Sequence, residues 1–378
     1  MSKRKFKLKH FISYIVLFAA LILFIVLDSV GVLRRSSLLL ITQMSYSIIL
    51  AVSLNLIVGF LGELSLGHAG FMCVGAYIGG FVANILYDAG MSSAILVFII
   101  SAIAGALSAS VAGLIIGLPA LRLKGDYLAI VTLAFGEIVR SIFKNLDVFG
   151  GAMGITTRKY GSDLFIVAMI LVILTVFVSR NLIRSKHGRA IRAIRDNEIA
   201  ARSVGVNVTY YKLMVFVIGA FFAGIAGVIY AHNTTPVNQS FFSFNYSIEI
   251  LVMVVLGGMG SINGSIIAAA ALTFVNVQLT TQLSGDMAAI KNLIYALILI
   301  VVVMFNNAPA LARVREKVSL GRLVDRLFPS RGKTSETDDS DNGAAAWDKI
   351  PTKIEMDALL STDIIPENTD DGSEKDGD

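Results

Sequence analysis

Repeated apolar runs, each about as long as a membrane crossing, constrain this chain more than any other feature of its sequence. A helical crossing needs roughly 20 predominantly apolar residues, and only helices or closed barrels satisfy their own backbone polar groups in lipid. Hydrophobic residues make up 55% of the 378 positions and charged residues 16%. We therefore predict an all-α polytopic membrane protein rather than a soluble enzyme.

About ten transmembrane helices are predicted, although Gly-rich boundaries also permit eight or nine. The first, residues 11–27, follows a basic N-terminus and lacks a clean small-residue cleavage pattern, so an uncleaved span is expected. The others are predicted at residues 38–60, 66–87, 93–118, 126–144, 163–180, 210–231, 247–263, 265–283 and 287–305.

The distribution of charge orients these spans. The net charge of +5 combines −9 over residues 331–378 with +14 over residues 1–330. The basic excess lies mainly in loops between apolar runs, which indicates cytoplasmic loops rather than nucleic acid binding. With six spans before residue 184 and four after residue 212, both termini and the loop between are predicted to be cytoplasmic. Arg140 and Lys144 do not follow this pattern.

The chain divides into six segments on this basis. They are a basic N-terminus with the first span (1–37), a first membrane half with spans two to six (38–183), a cytoplasmic loop (184–212), a second membrane part with spans seven to ten (213–306), a basic cytoplasmic segment (307–330) and an acidic tail (331–378). The tail is poor in aromatic residues and rich in acidic and small polar residues, so it is predicted to be disordered.

The polar loop, residues 184–212, is the main interruption of the apolar pattern. A helix here would carry a ridge of three arginines spaced three apart, with Glu198 after it and Gly205 as a helix stop. These arginines are Arg189, Arg192 and Arg195. A short amphipathic helix between spans predicts docking on a partner at the membrane surface. Binding of the arginines to anionic lipid headgroups is the alternative.

Two Gly-rich segments, residues 55–80 and 247–270, also break ordinary transmembrane composition. Their cores are GELSLG at 62–67 and GMGSING at 258–264. Such segments in the two halves of a transporter predict broken helices that line a substrate path, whereas close helix packing is the alternative. The candidate path residues are Glu63, Ser65, Gly67, His68, Gly70, Gly257, Gly258, Gly260, Ser261 and Asn263.

The sequence contains no recognisable energy source of its own. It lacks a G-x-x-x-x-G-K-[ST] phosphate loop, and it lacks the dense buried carboxylates typical of ion coupling. It also offers no credible catalytic pair or metal site, and its single cysteine, Cys73, excludes a disulfide framework. Energy, if the chain uses any, is therefore predicted to come from elsewhere, and a secondary carrier or channel that works without ATP is the alternative.

Three stretches carry a resemblance to a known family. They are residues 55–80 with GELSLGHAGFMCVGAY, residues 188–212 with GRAIRAIRDNEIAARSVGVNVTYYK, and residues 247–264 with SIEILVMVVLGGMGSING. Together they resemble the LivM-type permease subunits of branched-chain amino acid ABC importers. The similarity extends over residues 38–305, and the acidic tail departs from the family pattern.

The resemblance implies an ABC importer permease fold with a cytoplasmic coupling helix. The EAA-type segment of ABC permeases matches Glu198, Ala200, Ala201 and Gly205 here, which implies that this segment docks on an ATPase, with the arginine ridge helping to orient it. The implied membrane is the cytoplasmic (inner) membrane of a prokaryote. The implied solutes are branched-chain or related small amino acids, and urea, short amides or nucleosides are the alternative within the superfamily.

The implied partners are a homologous LivH-type permease, two cytoplasmic ATPase subunits, an extracytoplasmic substrate-binding protein and membrane lipid, without nucleic acid. This chain would bind no cofactor, because ATP and Mg would be used by the ATPase subunits.

Overall fold

Eleven α-helices form the part of the chain that the computed structural model describes, which is residues 12–30, 34–123, 125–158, 160–161 and 163–282 with residues 297 and 300. All of these residues belong to one compact unit. The helices are α1 (Ile12–Ser29), α2 (Arg35–Asn55), α3 (His68–Asp88), α4 (Ala94–Ala120), α5 (Asp126–Asn145), α6 (Leu164–Arg184), α7 (Lys186–Asp196), α8 (Glu198–Ser203), α9 (Val208–Asn233), α10 (Phe244–Gly257) and α11 (Ile262–Gln282).

Among the described residues, six helices are long and apolar enough to cross a membrane, which confirms the all-α polytopic prediction. They are α2 with its π-helical extension (together Arg35–Leu61), α3, α4, α6, α9 and α11. Leu17–Asp28 within α1 and all of α10 are shorter apolar helices. Helix α5 occupies the predicted fifth span but is not among the six. The tenth span, 287–305, falls almost wholly outside the described residues, as do the segments 307–330 and 331–378, so the count of ten stays a prediction.

Helices α3, α4 and α9 pack tightly because small residues let their backbones approach. A Cβ atom added at Gly227 in α9 would lie 2.1 Å from the carbonyl oxygen of Met72 in α3. One added at Gly75 in α3 would lie 2.3 Å from the carbonyl oxygen of Gly224 in α9. No side chain fits at either crossing without moving the backbone. Helix α2 is largely buried beside this group, in contact with α6, α9, α10 and α11.

Candidate coupling site and helix breaks

The polar loop folds into two short helices rather than the single helix predicted. The Ser185 side chain caps α7 by accepting hydrogen bonds from the backbone N–H of His187 at 3.1 Å and of Gly188 at 3.3 Å. Asn197 leaves the helical conformation, with φ −158° and ψ 106°, and its side chain caps α8 by accepting from Ala200 N–H at 3.0 Å. The prediction missed this break because the apolar pattern continues through it.

The arginine ridge lies along α7, whose opposite face buries Ile191 and Ile194. Two of its members bind this chain itself. Arg192 Nη2 donates to the carbonyl of Ile183 in α6 at 2.9 Å, and Arg195 Nη1 donates to the carbonyl of Gly59 at 2.8 Å. The ridge therefore attaches α7 to α6 and to the π-helical extension of α2. The spacing of the arginines could not indicate this role, because the acceptors are backbone carbonyls, which every residue carries.

Helix α8 presents an apolar surface that nothing in the described part of the chain covers. Ile199 and Val204 are each 78% exposed, whereas Ala201 is buried. Gly205 follows with φ +86° and no atom within 4 Å of a Cβ built on it. The predicted helix stop at Gly205 is therefore confirmed, since α8 ends at Ser203 and the chain turns through the left-handed region that glycine favours.

A buried ion-pair cluster joins α8 to the first Gly-rich core. Lys212 Nζ in α9 contacts Glu63 Oε1, and it donates to Glu198 Oε2 at 3.2 Å. Arg202 Nη2 pairs with Glu198 Oε1 at 2.9 Å from the exposed side. Glu63, predicted to line the translocation path, thus lies beside the polar loop. Lys212 was not among the predicted site residues, although a lysine in the second turn of an apolar helix was a readable signal.

The first Gly-rich core is a non-helical break between α2 and α3. After α2 the chain makes a π-helical turn, Leu56–Leu61, and Gly62 ends it with φ +83°. The chain stays non-helical until α3 begins at His68. π-Turns are strained departures from the α-helix that occur often at functional sites.

The second Gly-rich core is also a break, between α10 and α11. Gly258 and Gly260 have φ of +88° and +81°, and both fall between the end of α10 at Gly257 and the start of α11 at Ile262. Both cores thus contain a non-helical stretch between consecutive helices. That they line a path remains a prediction.

The two breaks touch each other through Asn55, the last residue of α2. Its Oδ1 accepts from the backbone N–H of Gly260 at 2.9 Å, and its Nδ2 donates to Ser265 Oγ at 2.9 Å. Gly59 packs directly against the backbone of Gly260. A Cβ atom built on Gly59 would lie 2.3 Å from the Gly260 nitrogen. Asn55 was not predicted as a site residue, and only its burial inside an apolar stretch would have marked it.

The remaining path candidates divide into polar and packing positions. Ser65 and His68 are fully buried, and His68 Nε2 lies 2.8 Å from Ser53 Oγ. Ser65 Oγ and His68 Nδ1 have no hydrogen-bond partner among the described residues. By contrast, Gly67 and Gly70 lie against α5, where added Cβ atoms would meet backbone atoms at 2.4 and 2.7 Å.

The second break combines a close helix contact at Gly257 with an open cavity beside Gly260 and Ser261. A Cβ atom at Gly257 would lie 2.4 Å from the backbone of Gly264, so this position serves close approach. An open cavity of about 210 Å³ adjoins it. Its lining consists of Phe60, Arg180, Ile183, Arg184, Gly260, Ser261, Ile262 and Asn263. Within this lining, Arg180 donates to the side-chain oxygen of Asn263.

Comparison with known proteins places this architecture in a family. Residues 36–303 match the family described as the permease component of branched-chain amino acid transport systems. The chain is 39% identical over 279 residues to the high-affinity branched-chain amino acid transport system permease protein LivM of Salmonella typhimurium, covering 65% of this chain and 64% of that one. It is 40% identical over 266 residues to LivM of Escherichia coli, covering 61% of this chain and 60% of that one.

The chain thus spans somewhat less than two thirds of the length of these relatives. No solved structure matches it. The family match nevertheless covers most of the described helices, including both helix breaks and the polar loop between α6 and α9. The chain belongs to the family of permease components of branched-chain amino acid transport systems.

Proposed function

We propose that this chain is the permease subunit of an ATP-driven ABC importer that moves branched-chain amino acids inward. The family supports this assignment, and the observation that carries it is the exposed apolar surface of α8 on a loop that is attached to the first helix break. The side chains of Ile199 and Val204 are each 78% exposed, and they form an apolar patch whose burial by a partner would be favourable. A cytoplasmic ATPase is the partner expected to cover them.

The coupling site consists of α7, α8 and the turn after them. In this proposal α8 lies in a groove of the ATPase, Gly205 permits the tight turn, and Arg189 contributes orientation from the exposed face of α7. Arg192 and Arg195 transmit force inward through the carbonyls they bind. The complete set of proposed coupling residues is Arg189, Arg192, Arg195, Glu198, Ala200, Ala201 and Gly205.

The proposed assembly contains ten spans in this chain, a homologous LivH-type permease, two ATPase subunits and an extracytoplasmic substrate-binding protein. ATP and Mg would be used by the ATPase subunits alone. The membrane is the cytoplasmic membrane of a prokaryote, with both termini and α7–α8 on the cytoplasmic side. The six-segment division of the chain belongs to the same proposal.

We further propose that the solute path passes the two helix breaks. The unpartnered atoms Ser65 Oγ and His68 Nδ1 support this placement, because buried polar groups normally have a partner and water or solute would supply it. The 210 Å³ cavity at Gly260 and Ser261 supports it from the second break. Gly67, Gly70 and Gly257 would shape the path by letting helices approach.

Disrupting the α8 surface is expected to detach the ATPase. We expect Ile199→Glu to reduce co-purification of the ATPase about tenfold, because a central apolar anchor is replaced by a charge that needs water. Glu198→Arg and Gly205→Trp should also abolish uptake and stimulated ATP hydrolysis. Pull-down of the ATPase from solubilised membranes measures the first effect, and proteoliposome uptake measures the second.

The matched control is Tyr127→Glu, which also places a charge at an exposed position (72%) but at the start of α5. It should retain the ATPase. Each variant is compared at equal membrane insertion. Normal ATPase retention and uptake by the Ile199→Glu protein would disprove the docking assignment.

Energy source and solute are tested on the same preparation. Uptake that requires ATP and resists proton and sodium ionophores supports the importer, and the opposite pattern supports a secondary carrier. Titration of the cognate binding protein with leucine, isoleucine and valine, and with urea, short amides and nucleosides, identifies the solute. Binding confined to one of the latter classes would replace the proposed substrate.

A further inference from the structure

We propose that Lys212 is a positioning residue that transmits movement of α8 to the first helix break. It does so through a buried cluster in which one ammonium group holds two carboxylates, Glu198 of α8 and Glu63 of the break. This inference rests on the proposed function, since it takes α8 to be the element that the ATPase moves.

The cluster joins three separate parts of the chain. Lys212 belongs to α9, Glu198 to α8, and Glu63 to the non-helical segment that follows Gly62. The Lys212 side chain is 4% exposed, and those of Glu63 and Glu198 are 13% and 20% exposed. Water therefore contributes little to solvating these charges, and each depends on the others.

Burial makes the contact a mechanical link. An ion removed from water is stabilised only by close partners, so its energy rises steeply when one partner withdraws. Displacing Glu198 with α8 therefore forces Lys212 to follow it or to rely on Glu63 alone. In the first case Glu63, and with it the break, moves with α8. The second case is costly, because Lys212 then loses one of its two carboxylate partners. The Arg202–Glu198 pair lacks this property because Arg202 is 67% exposed.

A second attachment acts on the same break from α7. Arg195 Nη1 donates to Gly59 O at 2.8 Å, and its Cγ would lie 3.0 Å from a Cβ atom at Gly62. The π-helical turn is thus held by α7, and the residue after Gly62 is held by α8 through Lys212. Both helices of the loop are therefore attached to the first break, α7 through Arg195 and α8 through Lys212. The first break in turn contacts the second at Gly260.

A purely structural role for Lys212 makes a different prediction. If the cluster served stability alone, Glu63→Gln would leave transport intact once the protein is folded, because Lys212 would keep its bond to Glu198. If the cluster transmits movement, Glu63→Gln weakens the link to the break, because an ion pair becomes a hydrogen bond to a neutral amide, while α8 and Lys212 remain paired. Transport by the Glu63→Gln variant therefore distinguishes a stabilising role of the cluster from a role in transmitting movement.

The first experiment compares variants in the full importer reconstituted in proteoliposomes. The readout is solute imported per ATP hydrolysed. For Lys212→Met and Glu63→Gln we expect this ratio to fall about tenfold, within the usual range of coupling between sites. Lys212→Arg should recover most of the wild-type ratio. The control Arg140→Met removes another ion pair, to Glu137 at 2.8 Å, from the partly exposed surface of α5, and should keep the ratio.

The second experiment does not depend on transport. Hydrogen–deuterium exchange of the full chain in lipid nanodiscs follows the amides of Glu63 and Leu66, which bond to Ile57 O at 3.1 Å and Thr132 Oγ1 at 3.0 Å. We expect exchange there to quicken about fivefold or more in Glu63→Gln and Lys212→Met, since local opening becomes easier. Arg140→Met should match the wild type.

The outcomes separate the inference from the proposed function. A wild-type importer without ATP-dependent uptake would refute the function, and the exchange experiment would still test the link. Unchanged transport ratio in Glu63→Gln, or unchanged exchange in both variants, would overturn the inference. If Lys212→Met fails to assemble, Glu63→Gln decides the question, because it leaves no unpaired carboxylate.

Discussion

Gly59→Ala is expected to abolish uptake and to lower the free energy of unfolding by about 1–3 kcal/mol, as overpacking usually does. The added Cβ would lie 2.3 Å from the Gly260 nitrogen and 1.8 Å from Asn55 Oδ1. The Asn55 side chain can rotate away, but only by losing its hydrogen bonds. The Gly260 backbone must then move, which pushes the two breaks apart. Thermal unfolding in detergent and uptake in proteoliposomes measure the two effects.

Gly136→Ala in α5 is the matched control. The nearest atoms to a Cβ there are 3.8–3.9 Å away, which is ordinary van der Waals contact. Alanine also favours a helix over glycine by roughly 0.5–1 kcal/mol, so this variant should be as stable as the wild type or slightly more so. Similar behaviour of the two variants would show that the breaks are not in the close contact described.

Asn55→Leu should cause the second large effect, destabilisation of about 1–3 kcal/mol per buried group left without its partner. Leucine is close to asparagine in size but can neither accept from Gly260 N–H nor donate to Ser265 Oγ. Ser265 keeps a bond to Ser261 O at 3.2 Å, so Gly260 is the more strongly affected group. We expect the rate of uptake to fall even where the variant is still folded, because the connection between the two breaks is lost.

Asn145→Leu is the control for this substitution. Its side chain is exposed and bonds only within α5, to Ser141 O at 2.7 Å. Its replacement should change unfolding by less than about 0.5 kcal/mol. The double variant of Gly59→Ala with Asn55→Leu should be markedly less damaging than the two single effects added together, because residues in contact couple. Strict additivity would contradict a shared contact at Gly260.

Much of this molecule is readable from local sequence. The apolar runs predict the helices of the bundle, since each run must satisfy its backbone within lipid. The positive-φ glycines Gly62, Gly205, Gly258 and Gly260 fall where the cores and the loop predict interruptions. Ser185 and Asn197 cap α7 and α8 through bonds to residues two or three positions away. All of these signals come from a few consecutive residues.

The partners of buried polar groups were not readable in this way. Arg195 was predicted to face a partner protein, yet it bonds to Gly59, 136 positions away. Glu63 was assigned to the solute path, yet it contacts Lys212, 149 positions away. Asn55 joins Gly260 across 205 positions. Spacing on one helix shows which residues share a face, but it does not show what that face meets.

The sequence by itself determined that this chain is a helical membrane protein with two glycine-rich breaks and a polar loop between apolar spans. Those features depend on the length, composition and periodicity of short segments, which act wherever the segments lie. Only the tertiary structure decided that the loop is fastened to the first break by Arg195 and Lys212, and that this break meets the second at Asn55. Those contacts arise from helix packing, because burial leaves each charge and amide dependent on whichever distant group the fold brings near.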